Sequence, residues 1–360
     1  MDGATCGGPI GFEACRFDSS FAPRNGYAIT TDSMKNIKKI GELGKQATPT
    51  LHWLGDTHLI VADDFCGAEG IRLVELLRSA ATSEPRILGF PESSPITQAD
   101  FVACFDVVPL SDETCILIAD FPGENGEPVD QVFKISSEGI VSAAPPKQDS
   151  SIVLVSELTD GRLAFVDGES REIRITDAML KEVHQSCPYP SNPDNEEAGL
   201  AALSGWGSDQ LIGTFVDWQK IVVLKWSQDS LDGSLEAVRV FENAEHQGIC
   251  VDASKAQYAL MLSDTTVDRC TLNVLREPNT WQVVEFDRTG IPIDDRLPFF
   301  CCEEVLFFDH IGCLASVSPT SDAPQLIHDF EQRVLARAFQ ASTRQLAVLL
   351  HDGSLHLAQF

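Results

Sequence analysis

Seven aspartates recur at regular spacing and are the most regular feature of the sequence that could do chemistry. They lie 43 to 57 residues apart, each at or near the end of an apolar run: Asp63, Asp120, Asp167, Asp217, Asp264, Asp309 and Asp352. A ring of carboxylates could bind a cation. Aspartates that follow strands also accept hydrogen bonds from backbone N–H groups and fix tight turns. We interpret them as turn residues, because such turns lie away from the axis of the fold predicted below.

Glu245 and His246 are the best acid/base candidates, since a carboxylate and an imidazole can exchange protons near neutral pH. Adjacent residues on a strand point to opposite faces, so the two need not act together. Asp100 and Trp206 are the remaining catalytic candidates if the protein is an enzyme. Trp206 lies in the segment GWG, where its indole could stack on a ligand or pack in a turn. Four other histidines flank predicted strands without a shared pattern: His52, His58, His310 and His351.

Oxygen-bearing side chains also precede several predicted inner strands, where they could hold a divalent metal. The metal candidates are Glu196, Asp294 and Asp295, and the loops that lead into inner strands also contain Gln98, Asp149 and Glu197. No CxxC segment occurs, so a structural zinc site has little support. The sequence also lacks G-x-S-x-G, H-E-x-x-H, a P-loop and a dinucleotide-binding fingerprint. We therefore predict no cofactor, and a divalent metal only for the hydrolase alternative given below.

The seven aspartates belong to a repeat of strand-like segments. Six of them align well, namely HLIVADD (58–64), CILIADF (115–121), RLAFVDG (162–168), LIGTFVD (211–217), YALMLSD (258–264) and LAVLLHD (346–352), and EVLFFDH (304–310) is a weaker seventh. A period of about 40–50 residues with strands throughout is the size of one propeller blade. We therefore predict an all-β, seven-bladed β-propeller. Six blades would result if the weak unit near residues 290–330 merged with a neighbour.

The last unit has only three predicted strands: RVLARAFQA, QLAVLLHD and SLHLAQF. An unpaired strand at the edge of a sheet exposes backbone groups. A strand from the N-terminal region, NIKKIGELG (36–44), can fill the fourth place and close the ring, and GYAIT (26–30) is a second candidate. We thus expect one propeller domain over residues 25–360, after a flexible extension over residues 1–24.

Two segments also carry helical periodicity, AEGIRLVELLRSAATSE and TDAMLKEVHQS. We interpret both as outer strands of blades.

LAVLLHDGSLHLAQF resembles the end of a WD-type repeat, in which an aspartate occupies the turn between the second and third strands. CILIADFPGENGEPVDQVFKI is similar to a blade of gluconolactonase-like or NHL-like propellers. A gluconolactonase-like enzyme would hold its metal through a glutamate on the first blade, but TPTLHWLG contains none and the nearest is Glu42. The Gly-His and Trp-Asp dipeptides of WD repeats are absent. The resemblance is therefore to the β-propeller superfamily and identifies no family within it.

The charge and the cysteine content limit the possible cellular compartments and binding partners. The formal net charge is −28, and such a surface repels phosphate backbones and anionic lipids. We expect protein partners with basic surfaces, and no direct binding to nucleic acid or membrane. The 11 cysteines are odd in number and often lie in apolar runs, as expected of buried thiols in a reducing compartment. With no signal-peptide pattern and no long apolar run, we expect a soluble protein of the cytoplasm or nucleus.

The sequence leaves two functions open. The first is a non-catalytic scaffold that mediates protein–protein interaction in an intracellular complex. The alternative is an enzyme with a pocket at the channel mouth, either a lactonase-like hydrolase or a cyclase or isomerase. A deep pocket with convergent polar groups would favour the enzyme, and an exposed apolar patch would favour the scaffold.

Overall fold

A computed structural model of the chain describes part of its 360 residues. The described residues are 28–29, 34–43, 49–63, 71–76, 86–87, 103–122, 128–143, 152–158, 160–168, 170–179, 183–189, 194–195, 198–206, 210–218, 220–227, 236–252, 257–264, 266–267, 269–276, 280–287, 298–301, 304–308, 312–318, 320 and 324–360.

These residues form 29 strands and no helix. The first fourteen are β1 (Ala28–Ile29), β2 (Lys35–Glu42), β3 (Pro49–Leu54), β4 (His58–Asp63), β5 (Ile71–Glu75), β6 (Arg86–Ile87), β7 (Ala103–Pro109), β8 (Cys115–Pro122), β9 (Pro128–Ser136), β10 (Gly139–Ala143), β11 (Ile152–Glu157), β12 (Leu163–Asp167), β13 (Glu172–Thr176) and β14 (Val183–Pro188). The others are β15 (Gly199–Trp206), β16 (Gln210–Asp217), β17 (Lys220–Ser227), β18 (Glu236–Glu242), β19 (Ala244–Asp252), β20 (Gln257–Asp264), β21 (Arg269–Arg276), β22 (Thr280–Asp287), β23 (Phe299–Cys301), β24 (Glu304–Phe308), β25 (Cys313–Val317), β26 (Gln325–Asp329), β27 (Val334–Gln340), β28 (Gln345–Leu350) and β29 (Ser354–Gln359).

The strands form seven sheets, which are the blades of a propeller. Six blades each take four consecutive strands, from β3–β6 in blade 1 to β23–β26 in blade 6, and β27–β29 belong to blade 7. Two N-terminal strands complete the set, because β2 joins β29 in blade 7 and β1 joins β26 in blade 6. The predicted seven-bladed all-β fold is confirmed. The unit near residues 290–330 forms a sheet of its own, so it does not merge with a neighbour.

Apolar side chains hold each blade to the next. The strand segments are apolar on both faces, as expected of sheets that are covered on both sides. Seven separate buried clusters lie between successive blades. One of them joins Leu349 of blade 7 to Leu59 of blade 1, and both side chains are fully buried. Burying such a leucine is worth about 1.5–3 kcal/mol, so this seam closes the ring with the same forces as the other six.

The N-terminal strand β2 closes blade 7, as the sequence predicted. It pairs antiparallel with β29, with Lys38 opposite Leu357 and Glu42 opposite Ser354. The N–H of Leu43 extends the ladder by donating to the carbonyl of Gly353 at 2.8 Å. The second candidate, residues 26–30, has a different place: β1 pairs in parallel with β26 at the outer edge of blade 6.

Three of the recurring aspartates fix turns, whereas Asp217 accepts a hydrogen bond from the side chain of Asn195 at 2.7 Å. Asp264 accepts hydrogen bonds from the backbone N–H and hydroxyl of Thr266, at 2.7 and 2.6 Å. Asp352 accepts from the N–H of Ser354 at 2.8 Å, and Asp167 from the N–H of Ser170 at 3.1 Å. Hydrogen bonds from Ser354 lower the pKa of Asp352 to about 2. The side chains of Asp63, Asp120 and Asp309 lie outside the described residues.

Both segments with helical periodicity contain strands, but the prediction of an outer strand is right only for the second: β5 is the third strand of blade 1, and β14 is the outer strand of blade 3. β5 occupies residues 71–75 and β14 occupies residues 183–188, and each pairs antiparallel with its neighbour. In the part of the chain that the structure describes, no helix is long and apolar enough to cross a membrane. Residues 1–24 lie outside the described part, so the flexible extension stays a prediction.

Candidate functional site

The two faces of the ring are built from different loops. We call the face where inner strands begin the upper face. The start of β15 marks this face in blade 4, because Gly199 pairs with Val216 near the end of β16. Turns between second and third strands therefore also lie on the upper face. Inner strands end at the opposite, lower face, where tight turns lead into the second strands. The sequence predicts all loop candidates ahead of inner strands, that is, toward the upper face.

Glu245 and His246 lie inside β19, and not ahead of it as predicted, because this strand begins at Ala244. The Glu245 side chain is exposed and accepts a hydrogen bond from the hydroxyl of Ser263 at 3.2 Å. The side chain of His246 lies outside the described residues. The structure thus places one exposed carboxylate of this pair on the upper face of blade 5.

The remaining loop candidates lie outside the described residues: Gln98, Asp100, Asp149, Glu196, Glu197, Asp294 and Asp295. Their roles stay predictions. Among the residues that are described, no group of three His, Cys, Asp or Glu side chains could hold a metal ion.

Trp206 is a core residue. It ends β15 with a fully buried side chain, in the apolar cluster that joins blades 4 and 5. The ammonium group of Lys225 lies 4.8 Å from the centroid of its ring, a cation–π contact. Its indole therefore packs inside the ring of blades and offers no face to a ligand at the surface.

A cleft of about 400 Å³ lies at the lower face, where the inner strands of blades 7 and 1 end beside the first turn of blade 2. Its apolar wall includes Trp53, Leu110 and Phe339. Polar side chains share the lining, with carboxylates from the turns and a histidine and an arginine from the inner strands. This volume and mixed lining suit a small polar molecule.

His52 and Arg337 are the titratable groups that the inner strands contribute to the cleft. Arg337 donates to the carbonyl of Pro298 at 2.5 Å, and its guanidinium lies 5.2 Å from the centroid of the Phe299 ring. Burial lowers the pKa of Arg337 to about 10, so the guanidinium remains charged at neutral pH. Burial and the charge of Arg337 together lower the pKa of His52 to about 3. The imidazole is therefore neutral at pH 7.

Hydrogen bonds between blades 7 and 1 hold the rim of the cleft together. Asp56 accepts hydrogen bonds from the Gln340 side chain at 3.2 Å and from the Ser342 hydroxyl at 2.9 Å. The amide of Gln340 also donates to the carbonyl of Gly55 at 2.9 Å. Gly55 has a φ of 61°, and a Cβ there would lie 3.4 Å from Glu113. These contacts fix the turns, and the Asp56 carboxylate serves to hold blades 1 and 7 together.

The cleft is better suited to binding than to acid/base catalysis. An effective general base has a pKa near the working pH, whereas that of His52 is about 3. The Arg337 guanidinium and the neutral imidazole could instead hydrogen-bond a carboxylate or carbonyl group of a ligand.

Trp218 is the most exposed large apolar side chain among the described residues, at 71% exposure. It lies in the turn between β16 and β17, on the upper face of blade 4. Its φ is 51°, in the left-handed region that bulky residues rarely adopt. At the corresponding turn of blade 7 the residue after the aspartate is Gly353, with a φ of 84°. An indole thus occupies a position whose backbone suits glycine, and the fold alone gives no reason for it.

Sequence reasoning missed both Trp218 and the cleft. Trp218 could have been found, because the aligned repeat shows tryptophan directly after Asp217 where the last unit has Asp352 followed by glycine. The cleft leaves no comparable signal, since Trp53, Leu110 and Phe339 come from three blades that are far apart in sequence.

Comparison with known proteins identifies the fold. No known protein family and no curated protein matches the chain. A chain of the "Crystal Structure of Mitotic Checkpoint Complex" matches with a TM-score of 0.58 and 14% identity, over 95% of this chain and 98% of that one. The "Crystal structure of BBS1N in complex with ARL6DN, soaked with mercury" gives a TM-score of 0.57 and 11% identity, over 92% and 97%. The "Structure of Dos1 propeller" gives 0.57 and 9%, over 90% and 95%. At these identities the similarity establishes the β-propeller fold, and no narrower family is identified.

Proposed function

We propose that this protein is a non-catalytic propeller that mediates protein–protein interaction within an intracellular assembly. The observation that carries the proposal is the exposure of Trp218, 71% of whose side chain faces solvent at a turn with a glycine-like backbone. Large aromatic side chains are enriched at the centres of protein interfaces, where they contribute much of the binding energy. The backbone that carries this side chain is the turn between two strands of blade 4.

The similar structures support this role without identifying a partner. Two of the three are named as complexes, the mitotic checkpoint complex and BBS1N with ARL6DN. Both names describe assemblies of proteins, and chains of the same fold occur in them. Fold similarity alone does not fix function, so it adds to the argument from Trp218 and does not replace it.

The charge of the chain indicates which partners are suitable. With a net charge of −28, the protein attracts basic protein surfaces and repels nucleic acids and anionic membranes. A reducing, intracellular location is supported by Cys115, a buried free thiol whose pKa is raised by burial. We assign the protein to the cytoplasm or nucleus on these grounds.

The lower-face cleft favours a second candidate, an enzyme or receptor for a small molecule. Its volume of about 400 Å³ and its Arg337 and His52 side chains could hold a ligand with a carboxylate or carbonyl group. This is the form that the lactonase-like, cyclase or isomerase alternative takes in the structure. We rank it second because the pKa of His52, the histidine of the cleft, is about 3, too low for an effective base at neutral pH.

The test is affinity purification of the full chain from its source cell at low ionic strength, with mass spectrometry and light scattering of the purified material. We expect one or more proteins in stoichiometric ratio and a mass above that of the 39.3 kDa monomer. The candidate partner is then produced separately and mixed with the pure chain, and a complex of defined mass is expected. Recovery of the bare monomer, or failure of every purified candidate to bind, would reject the scaffold function.

A further inference from the structure

We propose that the upper face of blades 4 and 5 binds an arginine-containing, positively charged segment of a partner protein. This inference rests on the proposed scaffold function and names the surface and the chemistry of the partner. The surface, called here the blade 4/5 surface, consists of Trp218, Glu242, Glu245, Asp264 and Val267.

Backbone pairing makes these residues one continuous surface. Trp218 follows Asp217, which pairs with Lys220, and Lys220 pairs in turn with Glu242 at the end of β18. Two residues later the chain enters blade 5 at Ala244, which pairs with Asp264. The two blades are fixed to each other here, because the buried side chain of Ala244 packs in the same cluster as Ile221. No flexible connection separates the two halves of the surface.

Two exposed apolar side chains stand at the ends of this surface. Trp218 is 71% exposed at the blade 4 turn, and Val267 is 49% exposed at the corresponding turn of blade 5. Within the described part of the chain, no hydrogen bond or ring contact involves the Trp218 side chain. Among the described residues nothing stacks on the indole, so its faces are available to another molecule. Burying them removes apolar surface from water and stabilises a complex.

Carboxylates lie between the two apolar side chains. Glu242 and Glu245 are exposed, and Asp264 is ionised at neutral pH because hydrogen bonds from Thr266 lower its pKa. The bases nearby are Lys220 and Arg269, and Arg269 is 3.5 Å from Glu285. The local charge is thus negative, in keeping with the net charge of −28. A partner that covers Trp218 brings its own groups against these carboxylates, so cationic side chains fit and anionic ones do not.

Arginine meets both requirements with one side chain. A guanidinium stacks on an aromatic face and at the same time donates paired hydrogen bonds to a carboxylate. The same two blades already show this contact internally, since the guanidinium of Arg239 lies 5.0 Å from the ring centroids of both Phe241 and Trp281. A second copy of this chain is a poor occupant, because two bodies of charge −28 repel each other. Nucleic acid is excluded from this surface for the same reason.

The test measures binding of a defined probe to the full chain by fluorescence anisotropy. The probe is a fluorescein-labelled peptide of twelve residues that alternates arginine and serine, and the comparison peptides carry lysine or glutamate in place of arginine. We expect the arginine peptide to bind at least threefold more tightly than the lysine peptide, since cation–π stacking favours guanidinium. The glutamate peptide should not bind.

Variants locate the binding. Trp218→Ala should lower the affinity for the arginine peptide at least fivefold. It should also reduce the ratio of the affinities for the arginine and lysine peptides to less than two. The double variant Glu242→Gln/Glu245→Gln should lower the affinity for both cationic peptides and make that affinity less dependent on salt concentration. The matched control, Glu138→Gln/Asp160→Asn, removes two exposed carboxylates from turns of blades 2 and 3 at the lower face, outside the cleft. It should change affinity less than twofold. Circular dichroism checks that each variant is folded.

Each other result overturns the inference. Equal binding by Trp218→Ala and the wild-type chain would show that the indole is not an anchor. An equal loss in the two double variants would show diffuse attraction to an acidic body, and no binding of the arginine peptide would reject the surface altogether. Light scattering that shows a dimer dispersed by Trp218→Ala would assign the surface to self-association. In all four cases the scaffold function would still stand if purified partners form a complex, because that experiment does not depend on Trp218.

Discussion

At the scale of single residues, Trp218 combines two features that each cost free energy. Its ring is exposed to water, and its backbone is left-handed, which costs a non-glycine residue about 1–2 kcal/mol. Six non-glycine residues share a positive φ among the described residues, but Trp218 is the aromatic one of the six. An exposed aromatic side chain at such a position indicates a role that lies outside the stability of the fold.

This cost leads to a prediction about stability. Replacing Trp218 by glycine should give a protein about 1 kcal/mol more stable than replacing it by alanine, because glycine adopts a φ of 51° without steric penalty. The free energies of unfolding are compared by urea denaturation of the two variants.

Val267 provides the control for this pair. It is exposed at the corresponding turn of blade 5 and is not among the residues with positive φ. There the order should reverse, with glycine less stable than alanine by about 0.5–1 kcal/mol, because glycine gains more freedom in the unfolded chain. The same order at both positions would contradict the left-handed assignment of Trp218.

His52 makes stability depend on pH in a defined direction. Its pKa is about 3 in the folded protein, lowered by burial and by Arg337, and 6.5 is the ordinary value that applies when the chain unfolds. Between these values the unfolded chain binds more protons, so the free energy of unfolding falls as the pH drops below 6.5. From pH 7 to pH 5 the loss should be about 1–2 kcal/mol.

The measurement compares the wild-type chain with His52→Asn by urea denaturation at pH 7 and pH 5. Asparagine does not titrate, so the variant should lose about 1–2 kcal/mol less than the wild-type chain over this interval. His328 and His356 also have a pKa lowered by burial, but they are present in both proteins and their effect cancels. Parallel pH profiles would show that His52 accepts its proton in the folded state.

At the scale of elements, the closing strand β2 determines whether blade 7 is complete. Its side chains contribute to both adjoining seams, because Ile37 packs against the cluster between blades 6 and 7, and Ile40 and Leu43 belong to the one between blades 7 and 1. Removing the strand would also leave the backbone of β29 unpaired. An exposed strand edge of this kind promotes association with other chains.

Truncation separates the contribution of β2 from that of the residues before it. Deleting residues 1–44 should lower the free energy of unfolding by about 5 kcal/mol, from the loss of these partly buried apolar side chains, and cause aggregation. Deleting residues 1–24 should change it by less than about 0.5 kcal/mol, as expected for a flexible extension. Deleting residues 1–33, which removes β1 and spares β2, should change the free energy of unfolding about as little as the shorter truncation does. Denaturation midpoints and light scattering report the outcome, and equal losses in all three would contradict closure by β2.

The strands were predictable from the sequence because their physics is local. Apolar runs that end in aspartate predict both a buried strand and its turn, and the turn bonds of Asp264 and Asp352 confirm this. Closure by residues 36–44 followed from counting strands in the last unit. The site was not predictable in the same way. Glu245 was predicted in the loop before the fifth inner strand, whereas it lies inside that strand. The cleft depends on contacts between distant parts of the chain, such as that of Gln340 with Gly55, 285 residues apart.

At the scale of the whole molecule, stability is shared among seven similar seams arranged in a ring. The seam between blades 3 and 4 buries Val166 and Leu211 completely, and the seam between blades 7 and 1 does the same for Leu59 and Leu349. A ring has no free end, so every blade depends on two neighbours. Cutting the chain between two blades leaves all seven seams in place. Separating the resulting pieces exposes the apolar faces of two seams to water.

Division of the ring therefore tests whether the propeller is one cooperative domain. A cut after residue 191 gives a piece with blades 1–3 and β2 and a piece with blades 4–7, and separation exposes the seams at Leu211 and Leu59. Produced alone, each piece should be largely unfolded or aggregated, because two uncovered apolar faces remain in water. Produced together, they should form a 1:1 complex with the circular dichroism spectrum of the intact chain. A protease site inserted at the same point is the control, and cleavage there should leave the two pieces associated. A piece that unfolds cooperatively on its own, as a stable monomer, would show that the ring contains more than one domain.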